Sequence, residues 1–370
     1  MEKQKVRLGE ILDNFDRLRK PLSSMQREKF KGNYPYYGAQ GIIDYVADYR
    51  CDGEYLLIAE DGENLSSRNA PIAQIARGQF WVNNHAHIVK NNDKSDIRYV
   101  CYLINSSDIA GYVTGAAQPK LSQANLNKIV VEIHNIEVQH RIASILSTYD
   151  TLIENNTKRI RLLEKMAENL YKEWFVRFRF PGHENVEMEN GLPKGWKVEK
   201  LGNLSNISTG KCNREDAEED GVYPLFDRSQ DTKRSSKWLK DCEAIIVPGE
   251  GTTFMPRYYV GKFNLHQRCY CVEPTKAQIG KFLFYTIMFN RKYFLSVATG
   301  ATVPSLRYNN FAKMKIIVPS EELYRKFEQV VSKLFNEIDN LQHQNTLLAR
   351  QRDLLLPRLM SGKLEVKAEK

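Results

Sequence analysis

The stretch GAAQPKLSQANLNKIVVEI (115–133) returns as GATVPSLRYNNFAKMKIIV (300–318). At a constant offset of 185 residues, Gly115/Gly300, Ala116/Ala301, Pro119/Pro304, Leu121/Leu306, Asn125/Asn310 and Lys128/Lys313 are identical. Upstream, Tyr34-Pro35 matches Tyr223-Pro224 and Asp61-Gly62 matches Glu250-Gly251, both at an offset of 189. A period this long marks a duplicated domain, not a solenoid. Each copy runs into a long helical pattern, so the plan is domain–helix–domain–helix. That plan places two similar surfaces at a set separation.

The length of 370 residues suits two to three domains, and a hydrophobic content of 42% supplies their cores. The N-terminal MEKQKVRLGEILDNFDRLRK is charged from its start and lacks the apolar segment of a secretory signal. No apolar run approaches the roughly 18 residues of a membrane span. A soluble, cytoplasmic protein is expected. Its six cysteines (Cys51, Cys101, Cys212, Cys242, Cys269, Cys271) form no C-x-x-C pair. Cys269 and Cys271 alternate around Tyr270, near His266. Two reduced, buried thiols of one strand are a simpler reading than a metal pair, and no metal is expected.

The net charge is +9. Residues 1–135 carry 17 Lys/Arg against 16 Asp/Glu, whereas residues 191–320 carry 20 against 12. The excess therefore lies in the second globular segment, a mild argument for a polyanionic partner that charge alone leaves level with ordinary surface charge.

Short alternating runs broken by Gly, Asn and Asp fill both globular segments. EYLLIAEDG (54–62), PIAQIARG (71–78), FWVNNHAHIVK (80–90) and NKIVVEI (127–133) read as strands and turns, as do EAIIVPGEG (243–251), YYVGKFNLHQRCYCVEP (258–274) and KMKIIVP (313–319). Residues 97–113 and 281–297 carry helical spacing. The predicted fold class is α+β: a first mixed domain over 1–135, a central helix over 136–180, a linker over 181–195, a second domain over 196–319, and a C-terminal helix and tail over 320–370.

The first helical stripe includes Ile142, Leu146, Tyr149, Ile153 and Leu163, and the second Phe327, Val331, Leu334, Ile338 and Leu348, at the 3/4 spacing of one helix face. Pro181-Gly182 is expected to stop the first helix and Pro357 with Gly362 the second. About 40 residues at 1.5 Å each span roughly 60 Å. A small domain cannot cover such a stripe, so the two are expected to pack on each other as an antiparallel coiled coil. Asn156 and Asn345 interrupt the seam at positions that could set register.

Catalytic motifs are missing. There is no phosphate loop G-x-x-x-x-G-K-[ST], no G-x-S-x-G elbow and no H-E-x-x-H. The Asn/Asp-Pro-Pro-aromatic motif of an adenine-methylating site is also absent. His85 and His87 alternate on a strand-like run, which fits one exposed face better than a metal pair.

The order of several phrases resembles the specificity subunit of type I restriction–modification systems. In the first repeat these are YPYYGAQGIIDYV (34–46), YLLIAEDGEN (55–64) and GAAQPKLSQANL (115–126). In the second they are LPKGWKVEKLG (192–202), GATVPSLRYNNF (300–311) and RDLLLPRLMSGKLEV (352–366), with LYKEWFVRFRFPG (170–182) between the repeats. The resemblance implies two target recognition domains, each reading half of a split site in double-stranded DNA. It implies paired helices that act as a ruler and dock two modification (methyltransferase) subunits, with restriction/translocase subunits joining them. It implies no chemistry on this chain, and S-adenosylmethionine on the methyltransferase only. Two departures stand out. The first domain lacks the P-x-G-W lead-in of the second, and YPLFDRSQDTK (223–233) replaces YPYYGAQGIID, as expected of domains that read different sequences.

Within the regions this resemblance marks, Lys and Arg can neutralise phosphates, while Arg can take guanine and Gln or Asn adenine. The DNA-binding candidates of the first domain are Lys29, Lys31, Tyr36, Tyr37, Gln40, Arg68, Gln118 and Lys120, with Asn83 and His85 behind them. Those of the second are Lys211, Asn213, Arg228, Lys233, Arg234, Lys237, Arg257, Gln267, Arg268 and Arg307. Tyr36 and Tyr37 have a core reading as well. A different class of function stays open: a bivalent helical scaffold without sequence-specific DNA binding.

Overall fold

The computed structural model describes residues 3–115, 118–276, 278–300 and 302–366, so Ala116 and Ala301 of the repeat lie outside it. The chain forms two compact units, residues 1–156 with 343–370 and residues 157–342. Among the described residues no helix is long and apolar enough to cross a membrane.

Each unit contains a six-stranded mixed sheet. In the first, β2 (Leu12–Asn14), β3 (Lys31–Gly38), β4 (Gly41–Val46), β5 (Cys51–Ala59), β6 (Ala73–Val82) and β7 (Ala86–Asn91) lie in the order β2-β7-β5-β6-β3-β4. A separate two-stranded pair joins β1 (Lys3–Arg7) to β8 (Val130–His134). The second unit opens with a small hairpin of β9 (Met188–Glu189) and β10 (Leu192–Pro193). The pair of β11 (Lys197–Lys200) with β18 (Lys315–Val318) then repeats the β1–β8 arrangement. Its sheet uses β12 (Ser205–Thr209), β13 (Tyr223–Phe226), β14 (Lys233–Ser235), β15 (Lys240–Pro248), β16 (Arg257–Leu265) and β17 (Cys269–Pro274), in the matching order β12-β17-β15-β16-β13-β14. The parallel pairs also correspond: β3 with β6, and β13 with β16.

The central strands explain why these runs are so apolar. In β5, Leu56 and Ile58 face one core, with Val100 and Leu103 of the helix Ile97–Ser106. Leu57 faces the other, with Phe80 and Ile88. In β15, Ile245 and Val247 face one core and Ile246 the other. A strand covered on both faces cannot carry polar alternation. Asp96 caps the 97–106 helix by accepting from the N–H groups of Arg98 (2.8 Å) and Tyr99 (3.0 Å).

The central helix (Ile136–Tyr171) and the C-terminal helix (Glu321–Ser361) are antiparallel within each unit. In the first, Asp150 meets Arg352 at 2.6 Å and buried Asn156 donates to Gln344 at 3.4 Å. In the second, Arg159 meets Glu337 at 2.8 Å and Tyr171 lies 6.2 Å from Phe327, ring to ring. The stripes do more than pair. Ile142 and Leu146 enter the core of the first domain, and Phe327 and Val331 that of the second. Leu334 packs on the rim of the second core, Ile338 is buried, and Tyr149, Ile153, Leu163 and Leu348 are half-buried.

Three expectations need correction. The central helix ends at Tyr171, well before Pro181, because one π turn (Lys172–Val176) follows. That turn directs Trp174 and Phe175 into the core, where Phe175 meets Phe282 (4.9 Å) and Phe327 (5.0 Å) edge-on. Pro357 does not end the second helix, which runs through it to Ser361. The stop is Gly362, at φ +76°, with Leu364 N–H donating to Arg358 O at 3.0 Å. The 181–195 segment is more than a linker. Asn190 (φ +51°) and Gly191 (φ +78°) turn a tight β9–β10 hairpin, and Trp196 packs against Phe178 and Phe180.

Candidate nucleic-acid interface

The repeated sequence builds the same loop frame twice. Thr114 and Lys120 exchange backbone hydrogen bonds (2.8 and 2.7 Å), as do Thr299 and Ser305 (2.9 and 2.7 Å). Leu121 N–H donates to Glu60 O at 2.7 Å, and Leu306 N–H to Gly249 O at 2.8 Å. Glu60 N–H donates to His85 O at 2.9 Å, and Gly249 N–H to Arg268 O at 2.8 Å. The turns need glycine: a Cβ on Gly115 (φ +88°) would lie 2.3 Å from Gln118 O, and one on Gly300 (φ +114°) 2.6 Å from Val303 O.

On the first frame sits a network of opposite charges. Arg19 pairs with Asp16 (3.2 Å) and Glu60, and Lys120 with Glu60 (3.2 Å). His87 is buried, with Nδ1 2.7 Å from Asp16 and Nε2 2.8 Å from Leu121 O. His85, by contrast, is exposed and lies 2.8 Å from Asp61. The two histidines therefore do not share an exposed face, since Ala86–Val89 of β7 are buried on both sides.

Burial pushes the Asp16 carboxyl up, but hydrogen bonds from His87 and the Ile88 N–H outweigh it and leave the group below its ordinary value. Glu60 is likewise raised by burial and lowered further by Arg19, His87 and Lys120. With folded values below unfolded ones, this stabilisation is full above the ordinary carboxylate range near pH ~4 and is lost as pH falls through it. Asp16→Asn should therefore lower the melting temperature of the first domain at pH 7 and flatten its decline below pH ~4. Circular-dichroism melts across that range check this, and parallel wild-type and variant curves would refute it.

The second frame is built differently. The Glu250 carboxylate, 13% exposed, takes Arg228 at 2.6 Å and Arg268 on its other oxygen. Lys233 pairs with Asp227 at 2.6 Å. Burial raises the Asp227 carboxyl, and Lys233 and Ser229 bring it down to about 2. Gln267 donates to Asn213 Oδ1 at 2.5 Å. Lys211, Lys237 and Arg307 are exposed, and Arg234 is exposed while donating to Val222 O at 3.2 Å.

The frames gather Lys120, Gln118, His85, Lys211, Asn213, Arg228, Lys233, Gln267 and Arg268. Other candidates stand elsewhere or inside. Tyr36 is 1% exposed, packed with Val46 and Trp81, so it is a core aromatic. Tyr37 is half-buried, edge-on to Phe80 at 5.5 Å. Asn83 is buried. Arg257 is half-buried: it donates to Asp227 O at 2.6 Å and stacks over Phe226 at 4.7 Å, so it supports the loop. Lys31 pairs with Asp44 at 2.6 Å beside exposed Lys29. The hydrogen bonds of Lys31 and of the Tyr45 N–H hold the Asp44 carboxyl at about 2. Arg68 (φ +57°) donates to Ser107 O at 2.6 Å, and Gln40 is exposed at the β3–β4 tip. Arg19, His87 and the acids Glu60, Asp61 and Glu250 also stand on the frames and are not among the residues expected from the sequence. For Asp61 and Glu250 the sequence signal is the Asp61-Gly62/Glu250-Gly251 match, and Glu60 stands one position before it. Cys269 and Cys271 are buried thiols, each pushed by burial to about 12.

A family model described as the type I restriction modification DNA specificity domain matches residues 1–165 and again 193–349. The chain belongs to that family. Among specificity-subunit relatives, the MjaIX type I restriction enzyme specificity subunit of Methanocaldococcus jannaschii is 26% identical over 93% of this chain and 90% of its own. The EcoDI type I restriction enzyme specificity subunit of Escherichia coli is 29% identical over 47% of this chain and 39% of its own. The crystal structure of the type I restriction–modification S subunit from M. genitalium shares the fold, with TM-score 0.65 over 97% of this chain and 96% of that one at 17% identity. The two frames thus lie one in each of the tandem recognition domains of a specificity subunit.

Proposed function

We propose that this specificity subunit reads a bipartite site in double-stranded DNA, one domain per half-site, and docks two methyltransferase subunits through its long helices. What supports this is a single observation. One backbone frame is built twice, and different charged and amide side chains stand on it. The constant part is the fold, and the variable part is where two half-sites would be told apart. In this reading the chain does no chemistry. S-adenosylmethionine and the methyl transfer belong to the partner methyltransferase, restriction subunits join the same complex, and the assembly works in the cytoplasm. The excess positive charge of the second domain supplies a salt-dependent, sequence-independent share of affinity.

The test is an adenine-methylation map of the source genome with this gene intact and deleted. A split motif should disappear on deletion. If methylation is unchanged and the purified chain with its methyltransferase shows no sequence preference among DNA duplexes, the reading is wrong and the helical scaffold takes its place.

A further inference from the structure

The duplication provides an internal control. Parallel pairing sets Tyr37 beside Val82 in the first domain and Phe226 beside Leu265 in the second. Asn83 N–H donates to Tyr37 O at 3.0 Å, and His266 N–H to Phe226 O at 2.9 Å. Tyr37 and Phe226 are therefore equivalent, and so are Ala39 and Arg228, two positions further on. The bonds of Glu60 and Gly249 make His85 equivalent to Arg268, and Asp61 to Glu250. At one place in the fold the first domain has an alanine, one imidazole and an aspartate. The second has two guanidiniums on one glutamate.

The fold does not require that difference, because the same backbone bonds hold both frames. We propose that Arg228 and Arg268 read guanines in the half-site bound by the second domain, with Glu250 orienting both. This rests on the DNA-recognition role argued above. Each guanidinium meets Glu250 through Nη1, and the two side chains remain 47% and 57% exposed over a carboxylate that is 13% exposed. Such an arginine is anchored at one nitrogen and presents the rest of its fork outward. The fork matches the O6 and N7 acceptors of guanine in the major groove. Anchoring also lowers the side-chain entropy lost on binding.

The acid speaks against a phosphate-only role. A carboxylate between two cations cancels half their charge and repels a phosphate, which disfavours a contact that needs only positive charge. Fixed direction is what base reading needs. The first domain lacks this device. Exposed Gln118 stands on its frame, and its half-site should not depend on a buttressed arginine pair.

The experiment uses the full chain with its methyltransferase and a duplex library randomised across both half-sites. Methylated products are sequenced for wild type, Arg228→Gln, Arg268→Gln and Arg268→Lys. Each Gln variant should relax preference at a guanine position of one half-site, by about 10- to 100-fold, and leave the other half-site unchanged. Arg268→Lys keeps the charge and the pairing with Glu250 but loses the fork, so it should relax the same position. Three results overturn the inference: no guanine in the affected half-site, an unchanged motif in the Gln variants, or a uniform loss that Lys restores, which would mean phosphate contact. If wild type itself shows no split motif, the recognition role fails instead. Thermal melts of each variant separate misfolding from lost recognition, and Arg268→Lys, the smallest change, decides if a Gln variant misfolds.

Discussion

A chain ending after Asp353 is expected to lose the fold of its first domain and keep that of its second. The missing segment is the last part of the C-terminal helix and the tail. Leu359 (1% exposed) and Met360 (7%) sit in one core with Leu8, Ile11, Leu56, Ile142 and Leu146. Leu355, Leu356 and Val366 pack against the same core. Truncating one such side chain to alanine costs about 2–5 kcal/mol, against a typical domain stability of about 5–15 kcal/mol. Removing two fully buried side chains and three partly buried ones together exceeds that margin. The second domain loses nothing, since Phe327 and Val331 remain in its core. Leu359→Ala is the graded version and should lower the first-domain stability by about 2–4 kcal/mol. Hydrogen exchange reads both domains at once. Amides of β5, β6 and β7 should lose protection in the truncated chain while those of β15, β16 and β17 keep it. Full protection of β5 after truncation would show that the tail only rests on the surface.

That dependence was not legible from sequence, and the reason is physical. A hydrophobic period records which face of a helix is covered, and contains nothing about what covers it. Leu359 and Met360 belong to a core whose other members lie more than 200 positions earlier in the chain. What could be read is what local chemistry imposes. Gly115 and Gly300 recur because a turn at positive φ allows little else. The runs 55–59 and 244–248 are uninterrupted because both faces of each strand are buried there. Alternation fails for His87 for the same reason: in a strand covered on both sides, parity no longer separates inside from outside. Pro357 misled because a missing N–H is a local cost that the packing of Leu359 and Met360, just beyond it, outweighs. The frame acids Glu60 and Glu250 were not legible as site residues, because a carboxylate repels phosphate and is not among the cationic, amide and aromatic side chains that mark a DNA surface. They hold Arg19, Lys120, Arg228 and Arg268, and their nearest sequence signal is the doubled acid-glycine step.

Lys281→Met is expected to destabilise the second domain by about 3–5 kcal/mol, and Lys281→Met with Glu328→Leu by much less. Lys281 Nζ lies 2.6 Å from Glu328 Oε1, with both side chains 10% exposed. The ammonium also meets Tyr258 Oη at 3.2 Å and stands 4.9 Å from that ring and 5.4 Å from the Phe335 ring. Tyr258 in turn donates to Glu243 at 2.6 Å, and burial with that carboxylate pushes its phenol well above the usual range. Removing the lysine alone strands Glu328, left with the Lys281 N–H (3.3 Å) and the Ser332 hydroxyl (3.3 Å) in a nearly dry site. Replacing both partners removes the stranded charge and fills the space with apolar atoms. The first domain again serves as the control. There Arg98 holds the place of Lys281, while its acid Glu54 holds that of Glu243 and not of Glu328; the two lie 3.4 Å apart and are 43% and 34% exposed. An exposed pair contributes about 0–1 kcal/mol, so Arg98→Met should be nearly silent. Urea denaturation of the four second-domain proteins closes a double-mutant cycle. If the double variant is as unstable as the sum of its single ones, the pair does not act as a unit and the buried-charge account fails.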